Sequence, residues 1–424
     1  MLFFSKNLTP KTLSSAAYLF LAFKTLAILG LLFGLVFLPY AAWWLAKSGD
    51  VAVERAVSFQ AQGNFGLFGS GVSQDFVDYK LKLYEAVKPS IVAIGSSRVM
   101  QFREKVFTTK FLNMGGVAGN LPVLRSTIDA MLKVHTPQAV ILGLDFWWFM
   151  PTWNRDPFQE EPPTSGSYSY SFQNLLKPWV WFLTGKINFK ELAAPLLGLF
   201  GHGFRTDRFG IMAQQTDDGF GSDGSWYYTA EITGQKKPFD YQFQDTMTQV
   251  VFGSKAFYHA PKRERAPAQA HLDALAEIYC RLQSRGIRTF VFIAPLSERV
   301  YQAMRAREAA YPHLFNLAFA LQARGINVLD LSNPKTLGSS DCEFVDGFHG
   351  GEVTYLRVLR SLADQWSALL NYVNFDEISK AIAAYKGHAL VYDAKLTQLL
   401  ETDFMDFGCP KRKQAPVTSG TKVR

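Results

Sequence analysis

Three side chains in this chain could together form and break an ester: the Ser97 hydroxyl, the His349 imidazole and the Asp346 carboxylate. Ser97 closes the stretch Ile91-Val92-Ala93-Ile94-Gly95-Ser96-Ser97-Arg98, in which four apolar residues run into a Gly-Ser-Ser turn. Near the other end stands Asp346-Gly347-Phe348-His349. Three-residue spacing on a turn lets the carboxylate reach the imidazole and fix its tautomer, so that the other ring nitrogen takes a proton from serine. The chemistry would be attack of Ser97 on an ester carbonyl, with His349 as base and Asp346 stabilising the imidazolium. Each motif alone is weakly specific, because a chain with seven histidines offers Asp-x-x-His by chance.

The elements that must position these residues follow from hydrophobic pattern. A short apolar run ending at a small-residue turn reads as a buried central strand. In an open α/β sheet, chemistry sits in the crevice at the carboxyl ends of the strands, which is where Ser97 would lie. A helix near residues 75–87 leads through Lys88-Pro89 into this strand. A second strand near Phe111-Leu112 runs into Asn113-Met114-Gly115-Gly116-Val117-Ala118-Gly119-Asn120, and a helical pattern over 121–135 precedes a strand over 138–145. Strand, helix, strand within so short a stretch predicts a parallel sheet. The pattern resumes with a helix over 267–285, a strand over 289–293 ending at Ala294-Pro295, and a strand over 327–331. After His349, positions Leu356, Leu359, Leu362, Ala363, Trp366, Leu369 and Leu370 recur at helical spacing. His135 and His313 fall in helical patterns and His202 in a glycine-rich loop, where structural or surface roles are expected.

The 424 residues suffice for one large domain with insertions or for two domains. Hydrophobic content of 48% and aromatic content of 15% exclude a mostly disordered chain. A formal charge of +8 suits anionic surfaces, phospholipid or acidic polysaccharide. No dense basic stripe or reader motif points to nucleic acid. Residues 1–24 are basic, with Lys6, Lys11 and Lys24, and residues 25–45 are apolar throughout, the length a helix needs to cross a bilayer. Tyr40, Trp43 and Trp44 stand at the far end, as an interfacial aromatic belt would. The run is long for a signal peptide and no small-x-small cleavage site follows, so an uncleaved anchor over 25–46 is expected. Lysines ahead of it predict a cytoplasmic N-terminus and a body outside the cytoplasm.

Residues 47–88 read as a stalk and lead-in helix, 89–370 as the α/β domain, and 371–424 as a helical extension with a polar basic tail. Residues 151–265 break the α/β rhythm, with an amphipathic piece over 179–200, and read as an insertion over the active edge of the sheet. The loop Asp217-Asp218-Gly219-Phe220-Gly221-Ser222-Asp223-Gly224 lacks calcium-loop spacing, so no metal and no cofactor are expected. Cys280 sits in an apolar helical pattern and reads as inert core, whereas Cys342 and Cys409 could pair in an oxidising compartment.

A serine after the first strand, a glycine-rich turn after the second and Asp-x-x-His after the last together resemble the SGNH (GDSL-like) hydrolase superfamily over about 89–145 and 285–370. The resemblance implies a flavodoxin-like parallel sheet. It makes Ser97 the nucleophile, Asp346 and His349 its partners, and Gly119 an oxyanion-hole glycine whose N–H would join that of Ser97. Each such donor is worth roughly 3 kcal/mol. The family's third block, Gly-x-Asn, is replaced here by Gly143-Leu144-Asp145. An ionised carboxylate cannot donate a hydrogen bond to an oxyanion. Either another donor substitutes, Asn120 being one, or Asp145 turns away. Arg98 could pair with Asp145, bind an anionic substrate or steady its loop. A single span with an external domain further resembles the bacterial envelope proteins that work beside multi-span membrane O-acyltransferases, of the D-alanyl-transfer and alginate O-acetylation types. That likeness implies acyl transfer to an envelope glycan or polymer through an acyl-serine, at the inner or plasma membrane. A catalytically inactive glycan-binding or scaffold subunit on the same fold is the alternative, and a peptidase has no support beyond the serine.

Overall fold

A computed structural model describes residues 15–73, 76–150, 152–153, 156–159, 161, 168–237, 243–252, 266–391 and 401–411. Its centre is a five-stranded parallel sheet of β1 (Ile91–Gly95), β2 (Phe111–Gly115), β3 (Ala139–Leu144), β4 (Arg288–Ile293) and β5 (Val328–Asp330), in the order β2-β1-β3-β4-β5. The chain turns one way from β1 to β2 and the other way from β3 onward. The topological switch point therefore lies between β1 and β3, where parallel α/β sheets open a crevice at their carboxyl ends.

Strand side chains alternate strictly between two cores, as the two-residue period demands. Val92, Ile94, Leu112, Met114, Val140, Leu142, Val291 and Ile293 face one core. That core is covered by α1 (Val77–Val87), α2 (Leu121–Val134) and α3 (Gln269–Ser284) through residues such as Leu83, Leu124, Ile128, Leu275 and Ile278. Ile91, Ala93, Phe111, Ile141, Phe290 and Phe292 face the other, covered by α4 (Glu352–Gln365) and α5 (Phe375–Ala384). Helices on both faces explain why the strands read as continuous apolar runs rather than alternating ones.

Residues 47–88 are not a stalk. Val53, Ala56 and Val57 of a helix Val53–Ala61 are buried in the first core, and Leu67–Phe68 joins a small sheet with Arg208–Phe209, Gly219–Phe220 and Trp226–Tyr227. One of the glycines that suggested loops here, Gly69, serves close backbone approach: an added Cβ would collide with Asp218 O and lie 2.9 Å from Ala213 N. The region expected as one insertion is likewise divided. Residues 205–237 fold with the α/β body, and the Asn113 N–H of edge strand β2 donates to Asp223 O at 2.7 Å, which covers the edge. The amphipathic piece over 179–200 spans the end of the helix Phe172–Leu183 and the short helices Phe189–Leu192 and Ala194–Leu197, with Gly185 at φ 73° between the first two. Residues 169–204 form a separate compact unit with residues 15–47. That unit contains the apolar helix, Ser15–Leu32 continuing through a π-helical turn Phe33–Phe37 into Leu38–Ser48. It is long and apolar enough to cross a membrane, and its most apolar stretch is unburied, unlike a soluble core helix. Lys6, Lys11 and the tail beyond Lys411 lie outside the described residues.

Cys280 is exposed rather than core, because α3 buries the face carrying Leu275, Ile278 and Leu282 and turns residue 280 outward. Cys342 and Cys409 form a disulfide across 67 residues, joining the C-terminal segment to the loop that precedes Asp346. Closing a loop of that length restricts the unfolded chain by about 4 kcal/mol. The double variant Cys342→Ser/Cys409→Ser is accordingly expected to melt several degrees lower in a thermal scan, and reductant should lower the wild-type midpoint equally. An unchanged midpoint would contradict this role.

Candidate functional site

The chain leaves β1 through a tight turn that aims Ser97 at the crevice. Gly95 has to be glycine here: a Cβ would meet Val99 Cγ2 at 2.5 Å and Gly143 O of the neighbouring strand at 2.7 Å. Val99 is thereby seated between the ends of β1 and β3, and a Cβ on Gly143 would meet the same methyl at 2.5 Å. The Ser96 hydroxyl accepts from Arg98 N–H at 3.2 Å and caps the single helical turn Ser97–Val99. From β2, fully buried Asn113 donates to the carbonyls of Val99 and Phe102, both at 3.0 Å, while its oxygen accepts Gly115 N–H at 2.7 Å.

On the opposite wall, the Asp346 carboxylate accepts the backbone N–H groups of Phe348 at 2.8 Å and His349 at 2.7 Å. This closes the loop on itself, and Val345 N–H donating to His349 O at 2.8 Å secures it. The same carboxylate lies 2.7 Å from His349 Nδ1, and His349 Nε2 lies 2.9 Å from Ser97 Oγ. Because an ionised carboxylate only accepts, Nδ1 carries the proton and Nε2 is left to accept from the serine hydroxyl. Burial pushes the Asp346 carboxyl up, but the His349 charge and the hydrogen bonds outweigh it and bring the group below its ordinary range. Burial pushes the imidazole down, but the Asp346 charge and hydrogen bond leave it above its ordinary 6.5. The imidazole keeps 26% of its side-chain surface exposed, so the serine's proton acceptor is reachable from the crevice.

Arg98 settles two of the options open to it and removes the third. Its side chain is 1% exposed. One terminal nitrogen donates to Asp145 at 3.0 Å, the other to the carbonyls of Ala294 at 2.8 Å and Pro295 at 2.6 Å, and Nε donates to Phe348 O at 3.1 Å. The residue after the serine thus ties the ends of β3 and β4 to the histidine loop, and its guanidinium is committed to the protein rather than to a substrate anion. Asp145 turns toward Arg98. Burial raises its carboxyl, and the neighbouring guanidinium offsets only part of that rise.

Gly119 lies in the loop after β2, where an added Cβ would meet nothing within 4 Å. Among the described residues, neither the Ser97 nor the Gly119 amide N–H has a hydrogen-bond partner. Asn120 is held at the start of α2: its oxygen accepts Val123 N–H at 2.8 Å, and its amide nitrogen donates one hydrogen to Glu161 at 3.2 Å. Trp153 donates to Gly119 O at 3.0 Å and braces this loop. The Trp147 ring packs 6.0 Å from that of Phe348, and the Tyr228 ring lies 6.4 Å from the imidazole, giving the site aromatic walls.

Among the described residues, no cluster of three or more His, Cys, Asp or Glu is arranged to hold a metal. Asp217 and Asp223 of the acidic loop bind Arg208 and the Ser225 and Glu104 amides instead. Sequence reasoning missed Asn113 and Trp153. Asn113 had a signal, a lone amide inside the apolar run Phe-Leu-Asn-Met-Gly; Trp153 had none. Compared with known proteins, the chain matches no family model and no curated sequence.

Two outcomes follow from this geometry. Serine activation needs neutral His349, so activity on an ester should fall as pH drops through a histidine pKa above 6.5. In Asp346→Asn the acid limb should move to lower pH, since the group that raises the imidazole is gone, with a lower plateau; an unmoved limb would contradict the pairing. Arg98→Met strands the Asp145 charge and is expected to cost about 3–5 kcal/mol of stability. Arg98→Met/Asp145→Leu should regain most of that stability in denaturant unfolding without regaining serine reactivity. Recovery of both would reduce Arg98 to a charge partner.

Proposed function

We propose that this chain is a membrane-anchored SGNH-type serine acyl esterase or O-acyltransferase that acts, through an acyl-serine, on cell-envelope carbohydrate or polymer. The observation that carries the reading is the continuous Ser97–His349–Asp346 hydrogen-bonded chain at the carboxyl end of a β2-β1-β3-β4-β5 parallel sheet. The strand order is that of flavodoxin-like doubly wound folds, which supports the SGNH assignment.

In the mechanism, His349 Nε2 takes the hydroxyl proton as Ser97 Oγ attacks the acyl carbonyl. Asp346 stabilises the imidazolium, and the Ser97 and Gly119 N–H groups receive the negative oxygen. The tetrahedral intermediate collapses as His349 returns its proton to the leaving alcohol, which leaves the acyl group on Ser97. Water or a sugar hydroxyl, deprotonated by the same imidazole, then resolves the ester. The apolar helix supports an anchor, and the disulfide supports an oxidising compartment outside the cytoplasm. A multi-span membrane O-acyltransferase is the partner that the resemblance suggests.

One observation favours the inactive-scaffold alternative. Asp145 occupies the third-block position and faces Arg98, so it supplies no side-chain donor to the oxyanion. A fluorophosphonate probe separates the readings. Covalent labelling of the full chain, abolished in Ser97→Ala, is expected of the enzyme; no labelling of well-folded wild-type protein would overturn it in favour of the scaffold.

A further inference from the structure

Within the unit formed by the apolar helix and residues 169–204, Trp179 Nε1 donates to Phe37 O at 3.2 Å, Tyr40 Oη to Leu192 O at 2.7 Å and Trp44 Nε1 to Glu191 O at 3.0 Å. Aromatic rings reinforce this seam, with Trp179 4.8 Å from Phe37 and Trp181 5.9 Å from Trp44. Away from these contacts, Leu183 is 82% exposed, Phe200 77%, and Phe189 and Leu199 73% each. So dense a group of bare large apolar side chains marks an interaction surface.

Three features of the same unit identify what covers it. One of the four, Phe189, lines a groove together with Leu196 and with Leu35, Val36, Pro39 and Trp43 of the apolar helix. It joins that helix at its aromatic end, Tyr40-Ala41-Ala42-Trp43-Trp44, the composition of a bilayer–water boundary. Its few charges are three lysines, Lys177, Lys186 and Lys190, and one glutamate, Glu191, whose carboxylate is engaged in a capping box with Asn188. Short helical pieces with bare Phe and Leu, tryptophans at the seam and lysines among the polar residues have the chemistry of a segment lying in an anionic lipid interface.

We propose that residues 169–204 are a second membrane contact, seated in the lipid interface beside the aromatic end of the anchor, with Leu183, Phe189, Leu199 and Phe200 among the acyl chains. This rests on the reading of the apolar helix as an anchor. The full chain is reconstituted in nanodiscs of phosphatidylcholine and phosphatidylglycerol, with nitroxide labels placed singly at Leu183→Cys, Phe200→Cys and Leu29→Cys in a Cys280→Ser background. Native Cys280, exposed on α3, supplies the aqueous reference. Power saturation then compares collisions with oxygen, which partitions into lipid, and with a water-soluble nickel chelate. Labels at 183 and 200 are expected to favour oxygen, as the label at 29 does, whereas the label on native Cys280 favours the nickel chelate. Nickel accessibility at 183 and 200 equal to that at Cys280, with 29 still in lipid, would overturn the interfacial seat and leave the anchor standing. Shielding of 183 and 200 from both reagents would overturn it in favour of a protein neighbour. Nickel accessibility at 29 as well would overturn the anchor and this inference together.

Discussion

The arrangement depends on one buried guanidinium. Arg98 follows Ser97 directly and cannot move without moving it. Its donors reach the ends of β3 and β4 and the carbonyl before His349, so three separately folded segments are referred to one planar group. Burying a charge is costly, and the pairing with Asp145 together with three carbonyl acceptors offsets that cost. The fork geometry of arginine suits this task, since a lysine could not hold divergent acceptors in fixed directions. The carboxylate at Asp145, which is unsuited to stabilising an oxyanion, becomes intelligible as the counter-charge of this hub.

Around the hub, the fold supplies rigidity at each step. Gly95 and Gly143 admit Val99 between adjacent strands, Asn113 holds the outgoing loop, and Asp346 closes its own turn before it touches the imidazole. The hydrogen-bonded chain of Ser97, His349 and Asp346 is therefore held in place by the fold itself. The disulfide secures the segment just upstream of the histidine loop.

Much of this was legible from the chain alone. The five strands and their flanking helices follow from apolar runs punctuated by glycine and proline, and the Ser97, Asp346 and His349 positions from local spacing. What the sequence concealed was long-range. Residues 47–88 look like a stalk because their polar and glycine-rich character is local, while their burial comes from partners beyond residue 200, as with Phe68 and Phe220. Asn120 reads as a candidate donor by its place after Gly119, and the sequence did not show that its amide nitrogen reaches Glu161. Arg98 left three options open because its acceptors are mostly backbone carbonyls, which carry no sequence signature.

The central claim is that Ser97, His349 and Asp346 stand preassembled with the imidazole proton on Nδ1. Nitrogen-15 NMR of the histidine side chains, with His349 assigned by its loss in His349→Gln, measures this directly. The account expects a protonated Nδ1 and an unprotonated Nε2 in the resting protein, with ring protonation setting in above pH 6.5. A resting Nε2–H tautomer, or a rapidly averaging ring that titrates like a free imidazole, would contradict it.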